Sequence, residues 1–550
     1  MPVKSPYQDV DIPALDMWAF MFNQPRDFPD SQVIYRAISS PRHYTFADVR
    51  AAATSFGEGL CNLWDWQKGD VLAIYAPNDV DIGPIIYGVF FAGGVVSPAN
   101  PAYSSSELAF QLSNAGAQGI VTTQAFLPNA LEAAKEANVP ADRIVLLGDD
   151  RDETHKTKHW TNIQKTSGAL RYRRRKLVPD KDLAFLVYSS GTTGLPKGVM
   201  LTHTNVIADL CLIKGSVGHH YQSGHDKFLG VLPFFHIYGL TGLVHQPLHR
   251  GIELVVMPAF DLKTFLQAVQ EHKISFIYVA PPVIVRLARD KLVEDYDLSS
   301  VRMITSGAAP LTRELVDTVH KRLKIKINQA YGLSETSNMT HTQPWSEWYS
   351  SVGSVGKLFP NMTAKYVLPD GSEAGANEAG ELWLSGPNIF QGYWKNEEAT
   401  RDAVAEEDGL RYFKTGDVGY QDAEHNFYIT DRVKELIKYK GFQVAPAELE
   451  GKLMDHPLVN DVAVIGVHDA ENHTEVPRAY VVHSAGVDKT SPQDADDIVK
   501  WTSERVASHK RLRGGVRFVE EIPKSAAGKI LRRMLKQKAK AEDDGPKAKP

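Results

Sequence analysis

Residues 183–203 join an apolar run to a loop of hydroxyls, glycines and one lysine. The run from Leu183 to Val187 predicts a buried strand, and the loop follows it directly. Gly191 and Gly194 allow a tight turn that brings backbone N–H groups close to an anion. Hydroxyl donors and a positive charge come from Ser189, Ser190, Thr192, Thr193 and Lys197. The order of these residues differs from the Walker pattern, so the sequence predicts a nucleotide phosphate site of another class.

Length and composition exclude several classes of protein. A chain of 550 residues predicts two or three domains, because single cores stop growing near ~250–300 residues. The net charge of −5 gives no reason to expect nucleic-acid binding. The longest apolar run, Ile82–Val96, is interrupted by glycines and a proline, so we expect a buried helix and no integral membrane contact. We expect a monomer or weak dimer.

The expected location is cytoplasmic. Cys61 and Cys211 are the two cysteines, which cannot form a disulfide framework and which favour a reducing compartment. The sequence ends Pro-Lys-Ala-Lys-Pro, which is not a peroxisomal address of the Ser-Lys-Leu type.

Helical and strand periodicities alternate through the middle of the chain. Asp261 predicts the N-cap of a helix with apolar residues at helical spacing, and residues 274–279 then predict a buried strand. This pattern indicates a large layered α/β domain over residues 1–431. Short strands and helices predict a smaller α+β domain over residues 432–536, and residues 537–550 lack apolar periodicity and predict a disordered tail.

Five motifs in order carry a resemblance to a known superfamily. They are residues 188–198, 329–336, 412–417 with 431–434, 438–448, and 523–533. Together they resemble the adenylate-forming, acyl-activating superfamily, which includes acyl-CoA synthetases, 4-coumarate-CoA ligases and beetle luciferases. The resemblance covers about Thr45 to Lys536 and is nearest to 4-coumarate-CoA ligases. It implies a fold of sheets plus a distorted barrel with a mobile C-terminal domain.

The resemblance implies an ATP and Mg²⁺ site. It assigns the Tyr331 ring to adenine, the Thr336 hydroxyl to the α-phosphate and Glu335 to Mg²⁺, which suits a hard cation. Asp417 would bind the ribose hydroxyls and Arg432 the ribose or phosphate. The remaining ATP-binding residues that it implies, besides the loop at 189–197, are Gln329 and Gly332.

The resemblance also implies a two-state thioester site. Lys529 would supply the charge for adenylation, and the C-terminal domain would swing at a hinge near Lys434. After that rotation, Lys440 and Gly441 would contact CoA, and Lys438 and Gln443 would face the acyl-adenylate. His236 would sit at the substrate carboxylate, although a lone histidine in an apolar run is often a core residue. The acyl pocket would comprise Tyr238, Thr305, Ala308, Ala330 and Ser334.

The predicted function is an ATP-dependent acyl-CoA ligase with a small carboxylic acid and CoA as its partners. We expect an aryl, arylalkanoic or medium-chain acid. Three positions, Thr305, Ala259 and Ser337–Met339, depart from the pattern of plant hydroxycinnamate ligases, so the acid need not be 4-coumarate. Three alternatives remain open: an adenylating enzyme that loads a carrier protein, a luciferase-like oxygenase, and a non-catalytic nucleotide-binding regulator.

Overall fold

The computed structural model describes residues 2–154, 156–164, 174–189, 196–309, 311–440, 442–469, 474–486, 490–525 and 528–544. The strands in these residues are β1 Val3–Lys4, β2 Val33–Ala37, β3 His43–Thr45, β4 Val71–Tyr75, β5 Val95–Ala99, β6 Ala117–Thr122, β7 Ile144–Leu146, β8 Lys158–His159, β9 Leu183–Ser189, β10 Lys197–Thr202, β11 Lys227–Gly230, β12 Glu253–Val256, β13 Phe276–Val279, β14 Met303–Ser306, β15 Ile327–Leu333, β16 Asn338–Thr342, β17 Lys357–Leu358, β18 Thr363–Val367, β19 Gly380–Ser385, β20 Gly392–Tyr393, β21 Val404–Glu407, β22 Leu410–Gln421, β23 Phe427–Arg432, β24 Ile437–Tyr439, β25 Phe442–Val444, β26 Val459–Asp469, β27 Thr474–His483 and β28 Val516–Phe518.

The α-helices in the same residues are α1 Met17–Phe22, α2 Phe46–Trp64, α3 Ile82–Phe91, α4 Ser105–Ala115, α5 Leu127–Glu136, α6 Trp160–Gln164, α7 His203–Ser216, α8 Ile237–Gly239, α9 Gln246–Arg250, α10 Leu262–His272, α11 Pro281–Arg289, α12 Arg313–Leu323, α13 Glu397–Ala403, α14 Pro446–Leu453, α15 Pro492–Ser503 and α16 Arg532–Asp544. The segment Leu240–His245 forms a π-helical turn between α8 and α9.

Three sheets form the larger part of the molecule, and the predicted α/β fold is confirmed. An eight-stranded sheet has the order β20-β10-β9-β5-β4-β6-β7-β8, and a nine-stranded sheet has the order β17-β16-β15-β14-β13-β11-β12-β2-β3. Both are parallel at their centres, which suits strands buried on both faces by helices. The expected distorted barrel corresponds to a six-stranded antiparallel sheet, β1-β18-β19-β22-β21 with β23 beside β22.

Local sequence signals explain several elements. Asp261 caps α10 by accepting a hydrogen bond from the Thr264 N–H, and β13 follows within the predicted interval. The predicted buried helix in the apolar run is α3, in which every residue is buried. Among the described residues, each helix is too short or too polar to cross a lipid bilayer.

The C-terminal part has its own core. The apolar clusters of the described residues draw their buried members either from positions up to Phe427 or from positions beginning at Ile437. The predicted boundary at 431/432 lies in this interval, although Arg432 itself still pairs with β22. The three-stranded sheet β26-β27-β28 carries this core.

The predicted tail begins too early. Helix α16 continues to Asp544, Ala539 is buried, and the Arg478 guanidinium donates two hydrogen bonds to the Asp543 carboxylate. These contacts order residues that lack an obvious apolar repeat, so the interpretation of residues 537–544 as disordered was wrong. Residues 545–550 lie outside the described residues.

Candidate active site

Glu335 lies where strands of two sheets meet. Its carboxylate is buried and accepts hydrogen bonds from the Tyr393 hydroxyl (2.9 Å) and the Ser189 hydroxyl (3.4 Å). The Lys197 ammonium lies 4.9 Å from the centre of the Tyr393 ring. Ser189 ends β9 and Lys197 begins β10, so both edges of the predicted phosphate loop adjoin Glu335. Ser190, Gly191, Thr192, Thr193 and Gly194 lie outside the described residues.

Asp417 is the centre of a second cluster. Its side chain is 4% exposed, accepts a hydrogen bond from the Tyr331 hydroxyl (2.6 Å) and pairs with the Arg432 guanidinium (2.9 Å). The pairing follows from the sheet, because Asp417 of β22 stands opposite Arg432 of β23. The Asp417 charge raises the pKa of Arg432, and burial raises the pKa of Tyr331 well above its usual value. The carboxylate is thereby held in one orientation.

Lys529 reaches this cluster from the C-terminal part. Burial and then the nearby Arg432 charge lower its pKa to about 8, against the opposing influence of Glu435 and Asp417. A tight turn presents the lysine: the Ser525 N–H donates to the Lys529 carbonyl, and Gly528 has a φ of +82°. A Cβ on Gly528 would lie 3.2 Å from the Ala280 Cβ at the start of α11, so glycine permits both the turn and the close approach.

His236 faces the same charge. Burial and then the Lys529 ammonium lower its pKa to about 4, so the imidazole is neutral near pH 7. Its Nδ1 accepts a hydrogen bond from the Tyr238 N–H (3.3 Å). The proton of the neutral ring is therefore on Nε2, which can donate to a carboxylate oxygen.

A second group of side chains packs around Thr305 and Tyr278 and leaves a gap too narrow for a water molecule. The Tyr238 hydroxyl donates to the Thr305 carbonyl (3.1 Å), and its ring centre lies 5.6 Å from that of Tyr278. The residues that line this gap are Val217, Tyr221, Tyr278, Thr305, Asn328, Met339, Thr342, Trp345 and Phe359. The predicted pocket residue Thr305 is among them. Ala330 and Ser334 are buried beside the lining strands, on β15 and just after it.

Two residues of the predicted site have surroundings that do not suit their predicted roles. Thr336 is fully buried, and its hydroxyl donates to the Leu333 and Asn338 carbonyls and accepts from the Leu333 N–H. These bonds occupy that hydroxyl inside the core, which argues against the predicted contact of Thr336 with the α-phosphate. Ala308 is exposed and has a φ of +74°, which is typical of a turn residue, and its role in the acyl pocket stays a prediction.

Two predicted ATP-site residues on β15 have clear structural roles. The Gln329 side-chain oxygen accepts from the Leu311 N–H (3.1 Å), while its buried Nε2 has no partner among the described residues. That nitrogen is available to a ligand acceptor. A Cβ on Gly332 would lie 1.6 Å from the Asn338 carbonyl oxygen, so only glycine fits the close pairing of β15 with β16.

Comparisons with known proteins agree over most of the chain. A family model described as AMP-binding enzyme matches residues 21–394. The chain belongs to the AMP-binding enzyme family. A second model, AMP-binding enzyme C-terminal domain, matches residues 448–529. This member of the family is an AMP-forming acid–thiol ligase, and ATP, Mg²⁺ and CoA are the cosubstrates expected for the family.

Named relatives extend this result. The chain is 36% identical to 4-coumarate–CoA ligase-like 1 of Arabidopsis thaliana, over 97% of this chain and 96% of that protein. It is 34% identical to 4-coumarate-CoA ligase 1 of Narcissus pseudonarcissus, over 98% of this chain and 96% of that protein. Among solved structures, o-succinylbenzoate CoA synthetase of Bacillus subtilis in complex with ATP and magnesium ion matches with a TM-score of 0.76 and 26% identity, over 94% of this chain and 98% of that one.

The residues of this AMP-binding enzyme fit an Mg²⁺ ion. Glu335 supplies a buried carboxylate whose recorded side-chain partners are hydroxyl groups, and Mg²⁺ in such sites takes one or two carboxylates together with substrate phosphates and water. Glu335 would hold the ion, which would offset phosphate charge. The described residues contain no cluster of three or more His, Cys, Asp or Glu side chains that could hold a metal ion.

The predicted thioester residues lie on the hairpin β24–β25 of the C-terminal part. The Lys440 N–H donates to the Thr474 hydroxyl (2.8 Å), and the Lys438 N–H donates to the Glu475 carboxylate (2.8 Å). Both side chains are exposed, as is that of Lys434 in the turn after β23. Gly441 and the side chain of Gln443 lie outside the described residues.

Sequence reasoning missed a buried ion cluster next to the site. The Arg532 guanidinium donates to the carboxylates of Glu435 (2.6 Å) and Glu450 (2.6 Å), and its Nε donates to the Val464 carbonyl (3.2 Å). In the C-terminal motif this arginine looks like a solvent-facing helix charge, yet its side chain is only 12% exposed. Its carboxylate partners lie 97 and 82 residues away, so no local pattern reveals the pairs.

Proposed function

We propose that the protein joins an aryl, arylalkanoic or medium-chain carboxylic acid to CoA through an acyl-AMP intermediate. The observation that carries this proposal is the meeting of Lys529 with Asp417, Arg432 and His236 around one site. The Lys529 ammonium comes from a distant part of the chain and adds a positive charge to the nucleotide site. Such a charge stabilises the transition state of a reaction between two anions, which binding alone does not require.

In the proposed first step, a carboxylate oxygen attacks the α-phosphorus of ATP and pyrophosphate leaves. The Lys529 ammonium bridges the two anions, and the His236 Nε2–H orients the carboxylate. Asp417 and Arg432 hold the ribose side of the nucleotide, with Tyr331 beneath the base. Since the Thr336 hydroxyl is buried, the α-phosphate contact falls to neighbouring groups of the phosphate loop and the 334–335 turn.

In the proposed second step, the C-terminal part (432–536) turns at Lys434 and withdraws Lys529. Lys440 and Gly441 then meet CoA, and Lys438 and Gln443 face the acyl-adenylate. The thiol sulfur attacks the acyl carbon, its proton is released, and AMP leaves with the electrons of the broken C–O bond. Use of one cavity for both steps keeps the reactive anhydride away from water.

A carrier-protein acceptor is the second candidate. It shares the adenylation chemistry, and only the acceptor differs. The names of the relatives at 36% and 34% identity favour CoA.

The test is pyrophosphate release from ATP and Mg²⁺ over a panel of cinnamates, phenylacetate, benzoates and fatty acids, with and without CoA. We expect release that rises with CoA, together with a thioester detected by mass. Release that ignores CoA would support a carrier-protein acceptor. Release with none of the acids would contradict the proposal and favour a nucleotide-binding regulator.

The pH profile should report Lys529. The ammonium is the working form and its pKa is about 8, so kcat/KM for adenylation should fall about tenfold per pH unit once pH rises above about 8. Burial and then the Arg432 charge lower the pKa of this amine, Glu435 and Asp417 raise it, and Arg532 lowers it further, while the His236 ring beside it is neutral. Initial rates at subsaturating acid across the alkaline range measure the effect. In Lys529→Arg the residual activity should stay level there, and a fall parallel to the wild type would assign the titration to another group.

The thioester step should depend on Lys440. Lys440→Ala should slow acyl transfer from preformed acyl-AMP to CoA about tenfold, because one charge-assisted contact contributes ~1.5 kcal/mol. Pyrophosphate release in a single turnover without CoA should be unchanged. Lys500→Ala on α15 is the matched exposed control. Equal CoA kinetics in Lys440→Ala and the wild type would remove Lys440 from the CoA site.

A further inference from the structure

Asn78 links the two large sheets beside the candidate active site. It is buried and lies in the loop that follows β4 of the eight-stranded sheet. The backbone that it contacts, residues 230–234, leaves β11 of the nine-stranded sheet and leads to His236. Asn78 lies outside the five motifs, so the motifs assign it no role.

The Asn78 amide makes three hydrogen bonds to this backbone. Its Oδ1 accepts from the Phe234 N–H (2.8 Å), and its Nδ2 donates to the carbonyls of Leu232 (2.9 Å) and Gly230 (3.3 Å). A carboxylate would lack both donors, and a hydroxyl has only one. The amide therefore fixes the course of residues 230–234 in a way that an acidic or hydroxyl side chain cannot.

An ion cluster holds the loop that carries Asn78. The Arg42 guanidinium donates two hydrogen bonds to the Asp79 carboxylate (3.0 and 2.7 Å) and lies 3.2 Å from the carboxylate of Asp81. Asp81 is buried and also accepts from the Trp160 indole N–H (3.0 Å). Because Asp79 directly follows Asn78, this cluster fixes the point from which the Asn78 side chain extends.

The segment that Asn78 holds is packed against the short helix beside His236. His236 is the N-cap of α8, and its N–H donates to the Pro233 carbonyl (3.2 Å). A Cβ on Gly239 would lie 2.1 Å from the same carbonyl oxygen, so glycine allows α8 to approach this closely. A displacement of residues 232–234 would therefore displace His236 as well.

We propose that Asn78 is a positioning residue for His236, an inference that rests on the proposed ligase function. It holds residues 230–234 so that the His236 Nε2–H meets the substrate carboxylate. Attack on the α-phosphorus requires the two reacting atoms to approach within ~3–3.5 Å, and a misplacement of about 1 Å can lower a rate about 100-fold. Asn78 acts on the reaction through His236 and makes no contact with the acid.

The experiment measures acyl-AMP formation by single-turnover pyrophosphate release with ATP, Mg²⁺ and the best acid of the panel. Asn78→Ala should lower the rate constant about 10- to 100-fold. The steady-state KM for ATP should stay within about threefold of the wild type, because the residues assigned to the nucleotide lie on other elements. Asn78→Ser keeps a small polar side chain and should change the rate in the same direction. Thermal unfolding identifies the variants that remain folded.

A double-mutant cycle with His236→Ala separates positioning from a general structural effect. If Asn78 acts through His236, its loss has nothing further to remove once the imidazole is gone. The Asn78→Ala/His236→Ala protein should therefore react within about threefold of His236→Ala alone. A residue that only stabilises the fold would lower the rate by the same factor with or without the imidazole.

The matched control is Asn205→Ala. Asn205 is another buried amide with the same set of backbone hydrogen bonds: it accepts from the Thr202 N–H (3.0 Å) and donates to the carbonyls of Pro387 and Ile389 (both 2.9 Å). It holds residues 387–389 instead of the segment before His236. Its effect on the rate should therefore multiply with that of His236→Ala.

The outcomes separate the positioning role from the ligase function. Multiplying effects in Asn78→Ala/His236→Ala, or a wild-type rate in a folded Asn78→Ala protein, would overturn the positioning role and leave the ligase intact. A wild-type rate in His236→Ala would also overturn it, because Asn78 would have no catalytic group to position. A wild type that forms acyl-AMP from none of the acids would overturn the ligase proposal, and the role of Asn78 with it.

Discussion

Lys529→Ala should nearly abolish adenylation and spare thioester formation. Loss of one preorganised charge at the reacting phosphate should lower the rate of acyl-AMP formation about 10²–10³-fold, as loss of one oxyanion-hole donor does. The lysine is held by a turn that docks on α11, so its removal leaves the Asp417–Arg432 pair in place. Acyl transfer from supplied acyl-AMP to CoA should stay within about threefold of the wild type, since Lys529 is withdrawn in that step.

The matched control is Lys524→Ala. Lys524 belongs to the same motif, but its ammonium pairs with Asp461 (2.6 Å) outside the site, so both half-reactions should continue. Single-turnover pyrophosphate release and thioester formation are measured separately for each variant. Loss of both half-reactions in a folded Lys529→Ala protein would contradict the alternation of two states.

Arg532→Ala should have the largest effect on stability. The guanidinium neutralises Glu435 and Glu450, whose side chains are 14% and 12% exposed, and its removal leaves two buried carboxylates without their cation. Breaking a buried pair in this way costs ~3–5 kcal/mol. The C-terminal part should unfold at a clearly lower temperature, and adenylation should fall with it, because Arg532 follows Lys529 by only three residues.

Arg533→Ala supplies the comparison. Arg533 is the next residue on α16 and is exposed, so its loss should change the free energy of unfolding by less than ~0.5 kcal/mol. Thermal and denaturant unfolding of the full chain measure both variants. Equal stabilities for the two would show that the buried cluster contributes no more than a surface charge.

Local patterns predicted much of the fold. The N-cap Asp261 and the apolar repeat of α10 lie within a dozen residues of each other. The sequence therefore predicts this helix without information on tertiary contacts. The order of the motifs was the basis for predicting one shared site, since no periodicity brings residues 189 and 529 together. The residues assigned to this site are Ser189, Lys197, Glu335, Asp417, Arg432 and Lys529. Their functional roles stay predictions, and the structure supplies their distances.

Long-range contacts account for what the sequence did not reveal. The Thr336 hydroxyl donates to a backbone carbonyl within a turn in which Ser337 has a φ of +60°. The sequence alone does not reveal the conformation of this turn. Residues 537–544 are ordered by Arg478 and Tyr480, about sixty residues earlier. Tyr393 reaches Glu335 only because β20 pairs with β10. The errors at residues 537–544 and at Arg532 reflect partners that lie far away along the chain, whereas the disagreement at Thr336 reflects the local conformation of a turn.

The anchoring of the segment after β23 defines how the proposed rotation can occur. Arg432 is fastened to Asp417 on one side, and Glu435 is fastened to Arg532 on the other. Only Val433 and Lys434 lie between these anchors, and both are exposed. A swing would therefore be absorbed by about four backbone torsions. So short a hinge restricts the rotation to one path. The C-terminal part would therefore alternate between two defined orientations and would not sample many, as a domain on a flexible linker does.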